Sequence, residues 1–371
     1  MNIPNEIYHI GLSILKGVSP EIIKNFPEKG ISPKDFFELS KSELRSLLSI
    51  EGHWLENENR EKALIEAKIE WEKIQRHKIK CIFLLDEDYP VRLFQIPDSP
   101  VVLYKIGNAD LDAVNMASIV GTRKPTPYGL DFCNKFVKDL SEYFPEIVIT
   151  SGLAYGIDGA AHKACLQNHR QTVAVVAHGL DIIYPASHRQ LAKDIIRNGG
   201  AIISEYRFGQ KPYRQQFLER NRIIAGISDV TVVVESDLKG GAMSTANTAF
   251  SYSRDVMAVP GRISDQLSAG CNLLIRKQKA HLLSSAADLI EITGWKPLDI
   301  TLSTTQRNLF PELSGDAKTI YDLLRYNKEA IQLDRLHQLS LIPMPRLLAL
   351  LGELEFDGII IKHPGNRFSI A

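Results

Sequence analysis

The sequence predicts an α/β protein: a Rossmann-like, doubly wound, mostly parallel sheet with a small N-terminal helical domain and a C-terminal winged-helix domain. Three observations carry this reading. Through the middle of the chain, short β-branched runs alternate with helix-length polar–apolar segments, the pattern of a parallel sheet covered on both faces. Several of those runs end in glycine turns, and ligands of such sheets sit beyond the carboxyl ends of the strands. After Trp295 the texture shifts to a polar, aperiodic stretch, then to three helical patterns and two short strand patterns.

Composition sets the bounds. At 371 residues and 44% hydrophobic content the chain has the make-up of a folded protein of two or three domains. No targeting peptide and no bilayer-spanning run is visible, so a cytoplasmic protein is expected. Cys81, Cys133, Cys165 and Cys271 are far apart without a CxxC pair, which reads as reduced thiols, neither a disulfide framework nor a zinc site. With 44 basic and 44 acidic residues the net charge is zero. Binding to nucleic acid would therefore need a local basic patch.

Residues 1–78 read as helices, from Ile7, Ile10, Leu12 and Ile14 and again from Leu44, Leu47 and Leu48. Leu15–Pro20 looks like a helix–turn–helix connection of SAM or helix-hairpin-helix type, with Pro20 at a helix start. Basic residues are not concentrated there, which favours a structural role. Glu56–Lys80 alternates acids and bases, as a long solvated helix does. The sheet domain spans 79–295, with candidate strands Cys81–Leu85, Val101–Tyr104, Ala117–Val120, Ile147–Thr150, Val173–Val176, Ala201–Ile203, Val230–Val234, Val256–Val259 and His281–Leu283. Residues 296–315 read as a linker. In 316–371, Asp316–Tyr326, Ile331–Leu339 and Pro343–Phe356 read as helices, and Gly358–Ile361 and Arg367–Ile370 as strands around the turn His363–Asn366.

The organising stretch is Ile147–His162, a strand that ends in Ser151-Gly152 before a helix. Such a junction aims free backbone N–H groups and a helix dipole at an anion, or is an ordinary β-to-α turn. A second turn, Gly121-Thr122-Arg123, joins a glycine to a guanidinium that grips a phosphate or else makes a surface ion pair. In Arg207–Arg222 five basic residues (Arg207, Lys211, Arg214, Arg220, Arg222) face one acid, Glu219, with Phe208, Tyr213 and Phe217 between them. Cations that track phosphates with rings that stack on unpaired bases make a single-strand platform; the other reading has Tyr213 and Phe217 as core anchors. Arg214 and Phe217 share a face if the segment is helical. A third turn, Lys239 to Ala246, supplies Gly240 and Gly241, with Ser244 or Thr245 as possible helix caps. Arg262, after Pro260-Gly261, is a weaker candidate contact.

Nucleophilic and metal chemistry find little support. Ser151 is not in GxSxG, no Walker A or GxGxxG motif occurs, and there is no HExxH. No cofactor and no metal is expected. Asp158 and His162, four apart, suit a capping or structural hydrogen bond.

Taken together, SGLAYGIDGAAH (Ser151–His162), GLDIIYP (Gly179–Pro185), ISEY (Ile203–Tyr206) and ERNRIIAGIS (Glu219–Ser228) resemble the DNA-processing protein A family, also called Smf. The resemblance spans the middle domain and, more weakly, both flanking ones. It implies a non-enzymatic homodimer that binds single-stranded DNA in natural transformation, protects the incoming strand and loads the RecA recombinase onto it. It places the DNA pocket at Gly121-Thr122-Arg123, at Ser151-Gly152 and at the basic segment before Arg220-Asn221-Arg222. Two departures stand out: Ser253-Arg254 where the family usually has Gly-Arg, and Lys279-Ala280 where Gly-Ala is usual. A different class, nucleotide-processing hydrolases similar to lysine decarboxylase-like phosphoribohydrolases, needs a glutamate shortly after a GGxGT-like loop. Here Ala246–Ala249 follow Gly240–Thr245 without an acid. A transcription-factor reading of the winged helix is disfavoured because Pro343–Asp357 carries Arg346 against Glu353, Glu355 and Asp357.

Overall fold

The structure is a computed structural model that describes residues 3–297, 315–326, 330–356, 359–363 and 366–370. All nine candidate strands form, within three residues of the expected bounds: β1 Lys80–Phe83, β2 Val102–Gly107, β3 Met116–Gly121, β4 Val148–Ser151, β5 Thr172–Val175, β6 Ala201–Ser204, β7 Val230–Val234, β8 Asp255–Ala258 and β9 His281–Leu282. They make one sheet in the order β1-β2-β6-β5-β4-β3-β7-β8-β9. Pairing is parallel from β6 through β9, and β1 and β2 join antiparallel at one edge.

Continuous apolar runs mark strands buried on both faces, and the parity of β7 shows it. Val230, Val232 and Val234 pack with Phe136, Val137 and Leu140 of the helix Pro127–Tyr143 on one face. Val233 faces the other core, with Ile223, Ile224 and Ala225 of the helix Arg214–Ile227.

The N-terminal helices, expected as a separate domain over 1–78, share their core with the sheet. Ile7 and Ile10 of the helix Asn5–Ile14, and Ala67 and Ile74 of the helix Asn57–His77, pack with Phe83, Val102 and Tyr104. Compact units accordingly run over 1–298 and 299–371. Within Leu15–Pro20, Ser19 caps the helix Pro20–Lys24. The Trp54 indole lies against Gly17, where a Cβ would come within 2.5 Å of its Nε1. An indole therefore covers the Gly17 side of this turn.

Ser253 explains one departure from the family pattern. It follows the helix Gly241–Ser251 at φ 57°, its N–H donates to Phe250 O at 3.1 Å and that of Arg254 to Ala249 O at 3.0 Å. This is a Schellman end, whose left-handed position glycine fills without strain.

In the C-terminal unit, the helices Gly315–Tyr326, Leu333–Ser340 and Met344–Phe356 enclose Ile320, Leu336, Leu347, Leu351 and Phe368. The antiparallel wing is β10 Ile331–Gln332, β12 Arg367–Ile370 and β11 Ile360–His363, in that order. The strand β10 falls at the start of the stretch expected to be helical from Ile331. Arg346, the cation of the would-be recognition helix, pairs with Asp316 at 2.7 Å. The linker 296–315 lies outside the described residues except for 296, 297 and 315, as do 364 and 365 of the wing turn and Asp357 and Gly358. Among the described residues no helix is long and apolar enough to cross a membrane.

Candidate nucleic-acid interface

The chain winds outward from β3 through β6, then returns to place β7 on the other side of β3. The loops that leave β3 and β7 diverge at this switch of direction, which opens a crevice at the carboxyl ends of the strands. A cleft of about 760 Å³ lies there. Its walls are Gly121-Thr122-Arg123 after β3, Asp237, Lys239, Gly240 and Gly241 after β7, and one face of the helix Arg214–Ile227.

Close packing fixes the Arg123 loop. A Cβ on Gly121 would stand 2.8 Å from Ile157 Cβ, and one on Gly156, at φ 77°, would stand 2.7 Å from Arg123 Cα. The backbone of one turn thus rests on the other. The N–H of Ile157 donates to Thr122 O at 3.2 Å, and that of Thr122 to Glu235 O at 2.7 Å. Arg123 itself is exposed, with no hydrogen bond or ion pair among the described residues.

Phe217 is half-buried and forms the centre of the wall. The Arg123 guanidinium lies 5.7 Å from its ring centroid and that of Arg220 lies 5.8 Å away. Tyr184, 46% exposed, meets it at 5.7 Å between centroids. Arg214 is at the first turn of the same helix as Phe217, and both line the cleft, as their spacing predicts. Tyr213 and Asn221 line it too. Four cations (Arg123, Arg214, Arg220, Lys239) stand against two carboxylates (Asp158, Asp237) in these walls.

Several expected contacts are placed otherwise. The Ser151-Gly152 turn is filled from within. Ser151 is fully buried, its hydroxyl donating to Ile119 O at 2.6 Å, and the Asp158 carboxylate accepts the N–H groups of Gly152 at 3.2 Å and Ala154 at 3.4 Å. Asp158 holds the place offered to an external anion. Arg220 is 3% exposed; its guanidinium donates to Gly152 O at 2.7 Å and to Val175 O. Burial brings its pKa down to about 10, with Asp158 opposing the shift. Burial also raises the pKa of Asp158, against Arg220 and the turn amides. Arg220 therefore braces the cleft floor and backs the Phe217 ring.

Arg222 turns away from the cleft to pair with Glu205, and Arg207 pairs with Glu66 at 2.7 Å. Phe208 stacks on His77 at 4.6 Å, outside the platform expected of it. Lys211 is exposed but is not in the cleft wall. Neither Ser244 nor Thr245 caps the helix Gly241–Ser251: its cap is Gly240, without a side-chain bond. Thr245 is buried in the wall and Ser244 lies outside it. Asp158 and His162 each make a structural hydrogen bond, as expected, though not to each other: Asp158 to the turn amides and His162 Nδ1 to Thr172 Oγ1 at 2.7 Å.

Sequence reasoning did not single out Tyr184, Lys239 or Glu235. Loop aromatics and single lysines leave no periodic signal. The signal for Glu235 was Gly129, inside a helix, where a Cβ would stand 2.5 Å from the Glu235 carboxylate.

With this geometry in place, the comparisons are specific. The family model for DNA recombination-mediator protein A matches residues 80–294, and that for the DprA winged helix domain matches 306–366. DNA processing protein DprA of Streptococcus pneumoniae is 40% identical over 213 residues, covering 57% of this chain and 74% of its own. Protein Smf of Escherichia coli is 33% identical over 312 residues, covering 81% and 80%. The crystal structure of the S. pneumoniae protein superimposes with a TM-score of 0.65 at 33% identity, over 78% of this chain and 98% of that one. DNA processing protein A of Helicobacter pylori, whose structure is described for its unique single-stranded DNA binding mode, gives 0.52 at 31%, over 58% and 94%. The chain belongs to the DNA recombination-mediator protein A family.

Proposed function

We propose that this protein binds single-stranded DNA in the switch-point cleft. The observation that carries the reading is the half-exposed aromatic wall of Phe217 and Tyr184, with the unpaired Arg123 guanidinium beside it. A ring face takes any unpaired base, and a planar guanidinium takes the adjoining phosphate. Arg214 and Lys239 extend the phosphate track, and the uncapped start of the helix Gly241–Ser251 adds backbone donors.

The wider role we propose is non-enzymatic and cytoplasmic: protection of incoming DNA in natural transformation and loading of the RecA recombinase. Family membership and the single-stranded DNA binding described for the H. pylori relative support it. Against a hydrolase, Ala246–Ala249 after the Gly240–Thr245 loop carry no acid, and the carboxylate of Glu235, before that loop, is bonded to Thr126. A homodimer fits the end of the sheet, where β9 is an edge strand with Leu282 50% exposed and Ile263 is 99% exposed.

The deciding experiment compares affinity for an oligonucleotide and for its duplex at two salt concentrations. Preference for the single strand that persists at the higher salt is expected. Equal affinity for both forms would remove the stacking argument.

A further inference from the structure

Beside the cleft a second exposed ring is held in a fixed pose. Tyr155 follows Ala154, a residue of the cleft wall, and is 48% exposed. The Ser187 hydroxyl donates to its phenolic oxygen at 3.2 Å. Its ring meets His188 edge-to-face, 5.3 Å between centroids at 66°. His188 is itself anchored, with Nδ1 donating to Leu153 O at 2.9 Å.

The backbone that carries Tyr155 is equally constrained. Leu153 is fully buried although its φ is 54°, a left-handed conformation that costs a branched residue of this size. Gly156, on the other side, is seated against the backbone of Thr122 and Arg123. Tyr155 thus stands at the tip of a loop wedged between the Tyr184–His188 segment and the Arg123 turn. An exposed aromatic ring needs no such support to stay in water. A ring that is exposed and immobilised is pre-organised, and binds a flat partner at small entropic cost.

We propose that Tyr155 is a second base-stacking station, taken by a nucleotide that lies outside the cleft on the strand whose first base rests on Phe217 and Tyr184. The proposal rests on the cleft being a single-strand site. Two features select the occupant. The station is continuous with the cleft through Ala154. Arg123 also has its loop backbone against Gly156 and its guanidinium 5.7 Å from the Phe217 ring, so the loop that meets the second ring's segment carries a free cation to the first, ready for the connecting backbone phosphate. Tyr155 is then a contact residue whose value depends on the length of the strand.

The test measures affinity for a ladder of oligothymidylates, from a dinucleotide upward, with the full-length protein and its Tyr155→Ala, Tyr155→Phe and Phe217→Ala variants. Native protein and Tyr155→Ala should coincide on the shortest oligomers and diverge on longer ones. There the alanine variant should bind about tenfold more weakly, with an unchanged salt slope and melting temperature. Tyr155→Phe, which keeps the ring, should follow the native curve to within a few-fold. If Tyr155→Ala follows the native curve at every length while Phe217→Ala is impaired, the second station does not exist and the cleft reading stands. An equal loss at every length would also overturn the proposal, because Tyr155 would then be shaping the cleft. If Phe217→Ala binds all lengths normally, the cleft reading fails, and this inference with it.

Discussion

Glu235 holds Thr126. Its carboxylate accepts the Thr126 backbone N–H at 2.8 Å and bonds the Thr126 hydroxyl, while its own carbonyl accepts the N–H of Thr122 at 2.7 Å. One buried residue at the end of β7 thus fastens both ends of the segment that carries Arg123. It does so at φ 54°, and Gly129 leaves room for the carboxylate. Glu235→Ala should cost about 1–3 kcal/mol of stability, the usual worth of hydrogen bonds to a charged group. It should also weaken single-strand binding by freeing Arg123. In the double variant with Arg123→Ala the two binding losses should not add. Additive losses in a double-mutant cycle would mean that Glu235 serves stability alone.

Arg123→Ala should weaken binding to every DNA sequence alike, because a phosphate contact carries no base information. It should lower the slope of log affinity against log salt by roughly 0.7, one phosphate contact on a single strand. A titration at four or five salt concentrations measures this; an unchanged slope would leave Arg123 a surface residue.

Phe217→Ala should lose ~1–3 kcal/mol of binding with little change in that slope. The ring is half-buried and lines the cleft, so the melting temperature should move much less than for a core phenylalanine, whose loss costs ~3–5 kcal/mol. A large drop in melting temperature with binding of the folded fraction intact would make the ring a packing residue.

Acid should destabilise the fold through two histidines. Burial lowers the pKa of His9 to about 4 and that of His162 to about 3, from an ordinary 6.5. The unfolded chain takes up these protons first as pH falls. The stabilisation is therefore complete above about pH 6.5, and is lost progressively as pH drops toward 4 and then 3. Urea unfolding at stepped pH should show the decline, and His162→Asn should flatten it.

Ser253→Gly should raise stability by about 0.5–1 kcal/mol, because the residue sits at φ 57° and glycine adopts that conformation without strain. Thermal melting decides the sign.

The sheet was legible because its central strands are buried on both faces, so β-branched runs such as Val230–Val234 stand out against their polar flanks. The loop after β3 was legible as a turn because Gly121 ends an apolar run and Pro125 follows before the helix. The basic segment misled in part. Charge counting cannot see that Glu66 and Glu205, distant in sequence or turned from the cleft, take up Arg207 and Arg222. Nor can spacing show that Asp158 bends back onto the turn before its own helix. The packing of the first helices on the sheet was hidden for a related reason: their apolar faces are completed by Phe83, Val102 and Tyr104, which come later in the chain.

Asp158 closes the deep turn after β4 to phosphate, and this bears on how the protein would work amid abundant free nucleotides. A nucleoside triphosphate needs several amides converging on its phosphates, and at this turn it meets a carboxylate. What remains is the uncapped start of the helix Gly241–Ser251 and three separate cations, Arg123, Arg214 and Lys239, each offering one point of attachment. A polymer gathers such points along its length, since every contact made raises the effective concentration for the next. A monomer has no second contact to recruit. Discrimination between a strand and its building blocks would then come from an anion the protein supplies to itself, with no group devoted to rejecting the smaller molecule.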